Sequence, residues 1–151
     1  MMDAALFSSN RTDWETPKSL FDKLNEEFHF TLDPASTDEN ALCKKHFTEK
    51  EDGLMQSWQG ETVFCNPPYG RDLGVWIEKA ATEARKGATV VMLIPARTDT
   101  KAFHDFIYGK AEIRFIRGRL RFGLGGVISD AAPFPSMVVV FRPEAKDERH
   151  N

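Results

Sequence analysis

Residues 88–94, Ala-Thr-Val-Val-Met-Leu-Ile, form an almost unbroken apolar run. Such a run predicts a strand covered on both faces, as in the middle of a parallel sheet, and Pro95 closes it. Other stretches follow other periods. Leu20, Phe21, Leu24 and Phe28 recur at helical spacing. Thr16-Pro17 ahead of them suits an N-cap followed by a first turn, so a helix opens there. Phe28, Phe30 and Leu32 alternate, which predicts a strand ending at Asp33. Residues 40–47 read as a short irregular or helical piece. Residues 62–65 predict a second strand, and 113–116 another. Ile77, Ala80, Ala81 and Ala84 mark the inner face of a helix over 74–86, with Gly87 as its stop. Phe103, Phe106 and Ile107 give the buried face of a helix that Thr98 or Asp99 caps and Gly109 ends. Residues 120–122 and 137–141 read as a closing antiparallel pair. Residues 1–13 read as a loose arm and 143–151 as a charged tail.

Strands alternating with helices around buried strands predict an open α/β sheet with helices on both faces. Ligands in such sheets gather at the carboxyl ends of strands. Asp33, Asn66, Arg97 and the residues after Ile116 all fall at predicted carboxyl ends.

Composition narrows the picture. The 151 residues fit one domain with a real core. Apolar residues at 41% and charged residues at 28% are ordinary for a soluble globular chain. A net charge of -3 excludes nucleic-acid binding through overall charge, so any such contact needs a local basic face. No apolar run reaches the length of a membrane span, and the N-terminus lacks a signal-peptide pattern. Cys43 and Cys65 are too few for a disulfide framework, which fits a reducing cytoplasm. Cys43 and His46 have metal-like spacing, but two ligands without partners make no zinc site.

The chemistry concentrates at Asn66-Pro67-Pro68-Tyr69, where an apolar strand runs into a rigid polar turn. Two prolines remove two backbone donors, so the turn offers mainly acceptors. Asn66 adds a side-chain oxygen and Tyr69 a flat π-face. Two acceptors and a stacking face suit a planar amine. Hydrogen bonds from both amine protons, to Asn66 Oδ1 and the Pro67 carbonyl, favour a tetrahedral nitrogen with a localised lone pair. That is the chemistry of methyl transfer to an exocyclic amino group. The alternative is an ordinary turn after a strand, since Pro-Pro marks loops. Arg114, Arg117, Arg119 and Arg121 form the densest basic run, opposed by Glu112. It reads either as phosphate contacts or as a solvated strand face. Arg97, after the buried strand at the predicted active edge, is a stronger single candidate than any one residue of the run.

Asp13-Trp14-Glu15-Thr16-Pro17, Leu32-Asp33-Pro34-Ala35-Ser36, Asp52-Gly53-Leu54 and Asn66-Pro67-Pro68-Tyr69-Gly70 occur in that order. With Pro95-Ala96-Arg97-Thr98-Asp99-Thr100 and Gly118-Arg119-Leu120-Arg121-Phe122, the chain resembles the phage-type DNA adenine-N6 methyltransferases from about Trp14 to Arg142. The resemblance implies a compact, Rossmann-like class I fold with a mostly parallel sheet. It implies S-adenosylmethionine as cofactor, double-stranded DNA as partner and a bacterial host cytoplasm; the residues themselves predict no metal. By position it makes Asn66, Pro67, Pro68 and Tyr69 catalytic. It gives Thr16-Pro17 to the cofactor's methionine carboxylate, Asp33 with Pro34 and Ala35 to its ammonium, and Asp52 to its adenine amine; Asn66 also borders the cofactor. Arg97, Arg117, Arg119 and Arg121 fall to DNA. Each assignment has a structural alternative: a helix cap for Thr16, a strand-end aspartate satisfying loop amides for Asp33, a turn residue for Asp52. Rival activities on the same fold are methylation of RNA, cytosine or protein glutamine, and a different class is a DNA-binding decoy without transfer.

The chain departs from the wider class after Asp33, where no glycine-rich loop follows. Fewer than thirty residues separate Asp33 from Thr62, so the intervening strand–helix units are shortened or absent. No separate target-recognition domain is visible, which leaves DNA contact to loops of the catalytic domain.

Overall fold

A computed structural model of the chain describes residues 14–124, 127–128 and 130–143. The arm at 1–13, nearly all of the charged tail, and Gly125 and Gly126 of the glycine-rich loop lie outside the described residues. Four strands make one sheet: β1 (Thr62–Cys65), β2 (Thr89–Pro95), β3 (Glu112–Phe115) and, last in sequence, β6 (Ser136–Phe141). Their order is β1-β2-β6-β3. β1 runs parallel to β2, while β6 is antiparallel to both β2 and β3. β3 therefore points the same way as β1 and β2, and β6 is the one reversed strand, inserted between them. β4 (Gly123–Leu124) and β5 (Val127–Ile128) form a separate small hairpin.

The apolar run at β2 sits where its pattern demands. Val90, Met92 and Ile94 face one layer, and Val91 and Leu93 the other. The first layer is α2 (Leu73–Arg85), whose Ile77, Ala80, Ala81 and Ala84 are all buried, together with the short wide-turned helix Phe103–Ile107. The second is α1 (Lys18–Phe28), which buries Phe21 and Leu24 beside Trp14, Tyr69, Phe122 and Phe134. Helices on both faces make β2 a strand with no solvated side.

Several expectations are corrected. The sheet is mixed, and the partners of β6 are β2 and β3, not residues 120–122, which form no strand. Phe122 is instead wholly buried against aromatic rings. The alternation of Phe28, Phe30 and Leu32 yields no full strand, because α1 continues through Phe28. His29 then reverses the chain at φ 57, and Asn25 closes the end through its carbonyl to His29 N and its Oδ1 to Phe30 N. What remains of the first strand is one parallel bridge from Leu32 to Val63 and another from Asp33 to His46. Thr16 does not cap α1. Pro17 holds the N-cap, and no side chain caps it. Thr100, rather than Thr98 or Asp99, accepts from Phe103 N at 3.2 Å. No described helix is long and apolar enough to cross a membrane.

Between Asp33 and β1 the chain makes turns in place of strand–helix units. Two contacts fix them. The Trp58 indole, fully buried, donates to the Gly53 carbonyl at 3.0 Å, and the Trp58 amide donates to Glu83 of α2 at 2.7 Å. Glu83 is 1% exposed and pairs with Lys79 at 3.0 Å. Burial alone pushes the Glu83 carboxyl up, but the Trp58 amide and Lys79 and Lys86 outweigh it and hold it below the usual carboxylate range. Its stabilisation is therefore full above the ordinary carboxylate range and is lost as pH falls through the lowered value. Glu83→Ala leaves the buried Trp58 amide without an acceptor, while Lys79 keeps the Gln56 carbonyl at 2.6 Å, and urea unfolding should show a loss of about 1–3 kcal/mol. Glu83→Gln keeps an acceptor for Trp58, so it should cost less at neutral pH and flatten the acid limb of the stability curve. Equal stability of parent and alanine variant would show that this anchor is idle.

Candidate active site

β1 delivers Asn66 at the carboxyl edge of the sheet, and three hydrogen bonds define its side-chain amide. Nδ2 donates to the Trp14 carbonyl at 2.6 Å and to Thr16 Oγ1 at 3.0 Å. Oδ1 accepts from the Tyr69 hydroxyl at 2.7 Å. Reversing the amide would set Oδ1 against the Trp14 carbonyl, acceptor to acceptor, so the network fixes which end points where. The segment that supplies these partners is itself clamped. Glu15 and Gly123 exchange two backbone hydrogen bonds of 2.9 Å, and the Trp14 ring meets Phe122 and Phe134 edge-on with centroids 5.5 Å away.

Tyr69 is buried, 4% exposed, and Phe122 and Phe134 meet it edge-on. Its hydroxyl lies 3.2 Å from the Leu93 carbonyl as well as against Asn66. Burial pushes its ionisation well above the usual phenol range, so it remains a proton donor. Tyr69 also lines a cavity of about 330 Å³ with Pro95, Arg97, Phe103 and Phe134. Small-ligand pockets begin at about 300 Å³. Asn66, Pro67 and Pro68 do not line that cavity, so Tyr69 is the member of the turn that borders both it and the Asn66 amide. No described residue donates to the Pro67 carbonyl.

Asp33 ends the two-residue remnant of the first strand beside β1, since Leu32 pairs with Val63 and accepts from Phe64 N at 3.0 Å. Its carboxylate accepts from Ala35 N at 3.3 Å and Leu42 N at 3.0 Å. The structural alternative for Asp33 is thus present in the fold. Burial nevertheless pushes its carboxyl up despite those amides, so the ionised form is under-compensated and an ammonium partner would favour it. Pro34 is buried, and the next segment approaches it so closely that a Cβ on Gly53 would sit 2.1 Å from the Pro34 carbonyl oxygen. That approach brings Asp52, at φ 60, beside the Asp33 loop, where its carboxylate accepts from Leu54 N at 3.1 Å. The uncapped start of α1 and the Thr16 hydroxyl lie at the same edge. Its proton has no partner among the described residues, although its oxygen accepts from Asn66. A buried carboxylate together with unengaged donors at a helix start fits a zwitterionic amino-acid headgroup.

The arginines separate into two groups. Arg114, inside β3, makes a bidentate pair with Glu27 of α1 at 2.7 and 2.8 Å and a third contact with Glu112 at 2.6 Å. It is a structural residue, and Glu112 is not the only acid opposing the run. Arg117, Arg119 and Arg121 follow the end of β3 and are exposed. Arg119 donates to the Ala132 carbonyl at 3.3 Å, Arg121 lies 4.0 Å from Asp130, and Arg117 has no partner among the described residues. Arg97, also exposed, lies past the end of β2. The sequence reading missed Arg71, exposed directly after Gly70. It also missed the Trp14 carbonyl, because a main-chain acceptor leaves no mark in residue type. His46 bonds Asp38 at 2.8 Å, and burial raises the Cys43 thiol to about 12.

Over residues 3–150 the chain matches the family model described as DNA N-6-adenine-methyltransferase (Dam). It is 30% identical over 142 residues to the DNA N-6-adenine-methyltransferase of Haemophilus phage HP1 (strain HP1c1), covering 91% of this chain and 82% of that protein. It is 29% identical over 115 residues to the DNA N-6-adenine-methyltransferase of Escherichia phage T1, covering 75% of this chain and 48% of that longer protein. With the ordered Thr-Pro, Asp-Pro-Ala and Asn-Pro-Pro-Tyr segments converging on one sheet edge, the chain belongs to the Dam family of DNA N-6-adenine-methyltransferases.

Proposed function

We propose that this chain transfers the methyl group of S-adenosylmethionine to the exocyclic N6 amine of an adenine in double-stranded DNA. The observation that carries the reading is the Asn66 amide, held at a strand end with its oxygen fixed as an acceptor. The Asn66 oxygen has two lone pairs, so it takes an amine proton while keeping the Tyr69 hydroxyl. The Pro67 carbonyl takes the other proton. Both bonds strengthen as the nitrogen gains ammonium character, and charge-assisted bonds contribute about 1.5–3 kcal/mol each. The product amine then loses its proton to solvent. S-adenosylmethionine, when bound, supplies an electrophilic methyl on sulfur. Asp33 with the Pro34-Ala35 loop would hold its ammonium, Thr16 and Pro17 at the start of α1 its carboxylate, and Asp52 its adenine amine.

A Rossmann-like class I fold is supported by the strand directions. Leu32, β1, β2 and β3 run one way with β6 reversed among them, and α1 and α2 cover opposite faces. The whole chain then reads as one methyltransferase domain working in a bacterial host cytoplasm. The cavity lined by Tyr69 and Phe134 offers room for a base turned out of its stack, with the Tyr69 ring as the wall it meets. Arg71, Arg97, Arg117, Arg119 and Arg121 all follow strand ends at that edge and would meet phosphates. Local cations of this kind reconcile DNA binding with a net charge of -3.

Labelled S-adenosylmethionine with unmodified DNA, RNA and protein tests the acceptor directly; label on RNA, protein or cytosine alone would overturn the proposal. Asn66→Ala should abolish transfer in a folded protein, and near-normal turnover would remove Asn66 from the chemistry. Tyr69→Ala should lose most activity and Tyr69→Phe less, because the ring forms the wall. Equal losses would shift the role to the hydroxyl. Arg119→Ala with Arg121→Ala should weaken DNA binding and make the plot of log affinity against log salt shallower by about 0.9 for each phosphate no longer neutralised. An unchanged slope would return those arginines to a solvated surface.

A further inference from the structure

Thr16 reads from sequence as a cap or a cofactor contact, and it is not the cap of α1. Its hydroxyl instead does something neither reading contains. Oγ1 accepts one Nδ2 proton of Asn66 at 3.0 Å, the other going to the Trp14 carbonyl at 2.6 Å. A hydroxyl has one proton to donate as well as lone pairs to accept with. The Thr16 proton has no partner among the described residues, and the residue is only half-buried at the start of α1, where no side chain caps the first turn. One atom therefore touches the catalytic amide on one side and offers a donor to an anion on the other.

We propose that Thr16 is a positioning residue that couples the two substrates: its oxygen holds the Asn66 amide in register, and its proton goes to the carboxylate of the methyl donor. This rests on the cofactor reading given above. Donating to a carboxylate polarises the hydroxyl, so its oxygen becomes a better acceptor for Asn66 Nδ2. Arrival of the methyl donor thus tightens the amide that must receive the adenine amine. The acceptor oxygen is best aligned when a methyl group is present to be transferred.

The test uses the full chain with S-adenosylhomocysteine, which carries the same carboxylate and no transferable methyl. Calorimetry reads its affinity, and the side-chain ¹⁵N–H resonances of Asn66, identified by their loss in Asn66→Asp, read the amide. In the parent, adding S-adenosylhomocysteine should shift those resonances and slow their exchange. Thr16→Val keeps the branched shape without the hydroxyl. It should weaken S-adenosylhomocysteine roughly 10- to 100-fold, as expected for a hydrogen bond to a charged group. It should also leave the Asn66 resonances unresponsive to the remaining binding, and reduce kcat at saturating cofactor. Thr16→Ser should restore all three. Normal affinity and a normal Asn66 response in Thr16→Val would overturn the proposal. So would unmoved Asn66 resonances in the saturated parent, a result that stands even if the valine variant does not fold. A parent that binds S-adenosylhomocysteine with the expected Asn66 response but methylates no DNA would overturn the proposed function and leave the coupling in place.

Discussion

The Asn66 side-chain amide is held at both ends, and the rest of the site is arranged around that restraint. A free asparagine offers oxygen and nitrogen with almost equal ease. Here the nitrogen is committed to Trp14 and Thr16, so the oxygen can only face Tyr69 and whatever lies beyond it. The restraint is only as good as its supports. Trp14 is fixed by the Glu15–Gly123 backbone pair and by edge-on contacts with Phe122 and Phe134. Residues from the beginning and the end of the described chain therefore meet behind one turn of β1. Preorganisation of this kind is what a site needs if its hydrogen bonds are to strengthen in the transition state rather than rearrange there.

The short span between Asp33 and β1 poses the opposite problem, since it lacks the strands that would hold it. The fold answers with single side chains. Glu83 reaches from α2 to the Trp58 amide, and the Trp58 indole reaches to the Gly53 carbonyl. Gly53 in turn presses on Pro34 so tightly that no larger residue fits without movement. The line Glu83–Trp58–Gly53–Pro34 thus sets the position of Asp33 and Asp52, the two acids read as cofactor contacts. The Glu83 carboxylate on α2 bears on those two acids through that line.

The parts legible in sequence are those in which a local pattern and the tertiary environment agree. The apolar run of β2, the alanine-rich inner face of α2 and the strand leading into Asn66 each carry their own periodicity. The misreadings come where a local pattern has two outcomes. Phe28, Phe30 and Leu32 alternate as in a strand. Phe28 nevertheless ends a helix, and Phe30 stacks on it at 5.7 Å, so the period reflects an aromatic cluster. Leu120 to Phe122 read as a strand, but Phe122 goes into the aromatic packing around Trp14 and Tyr69. Thr16 before a proline looks like a cap, and only the distant Asn66 reveals what its oxygen accepts. Motif order identifies the family because it records chemistry. Hydrogen-bond partners fifty residues apart leave no local trace.

The basic run shows the same division in electrostatic form. Four arginines at alternate or near-alternate positions look equivalent in sequence, yet Arg114 lies within β3, where Glu27 of α1 and Glu112 enclose it. Glu112 also engages Arg142 of the segment after β6. Arg114 therefore fastens the edge strand to α1 and has little charge left to offer a partner. Arg117, Arg119 and Arg121 escape that fate because the strand ends at Phe115: all three are exposed, and Arg121 comes only within 4.0 Å of Asp130. Within this run, the arginine inside the paired strand is held by acids and the three beyond the strand end are exposed. Arg71 and Arg97, in the segments that follow β1 and β2, are exposed as well. A chain with excess acid overall can therefore present cations along the one edge where its parallel strands end.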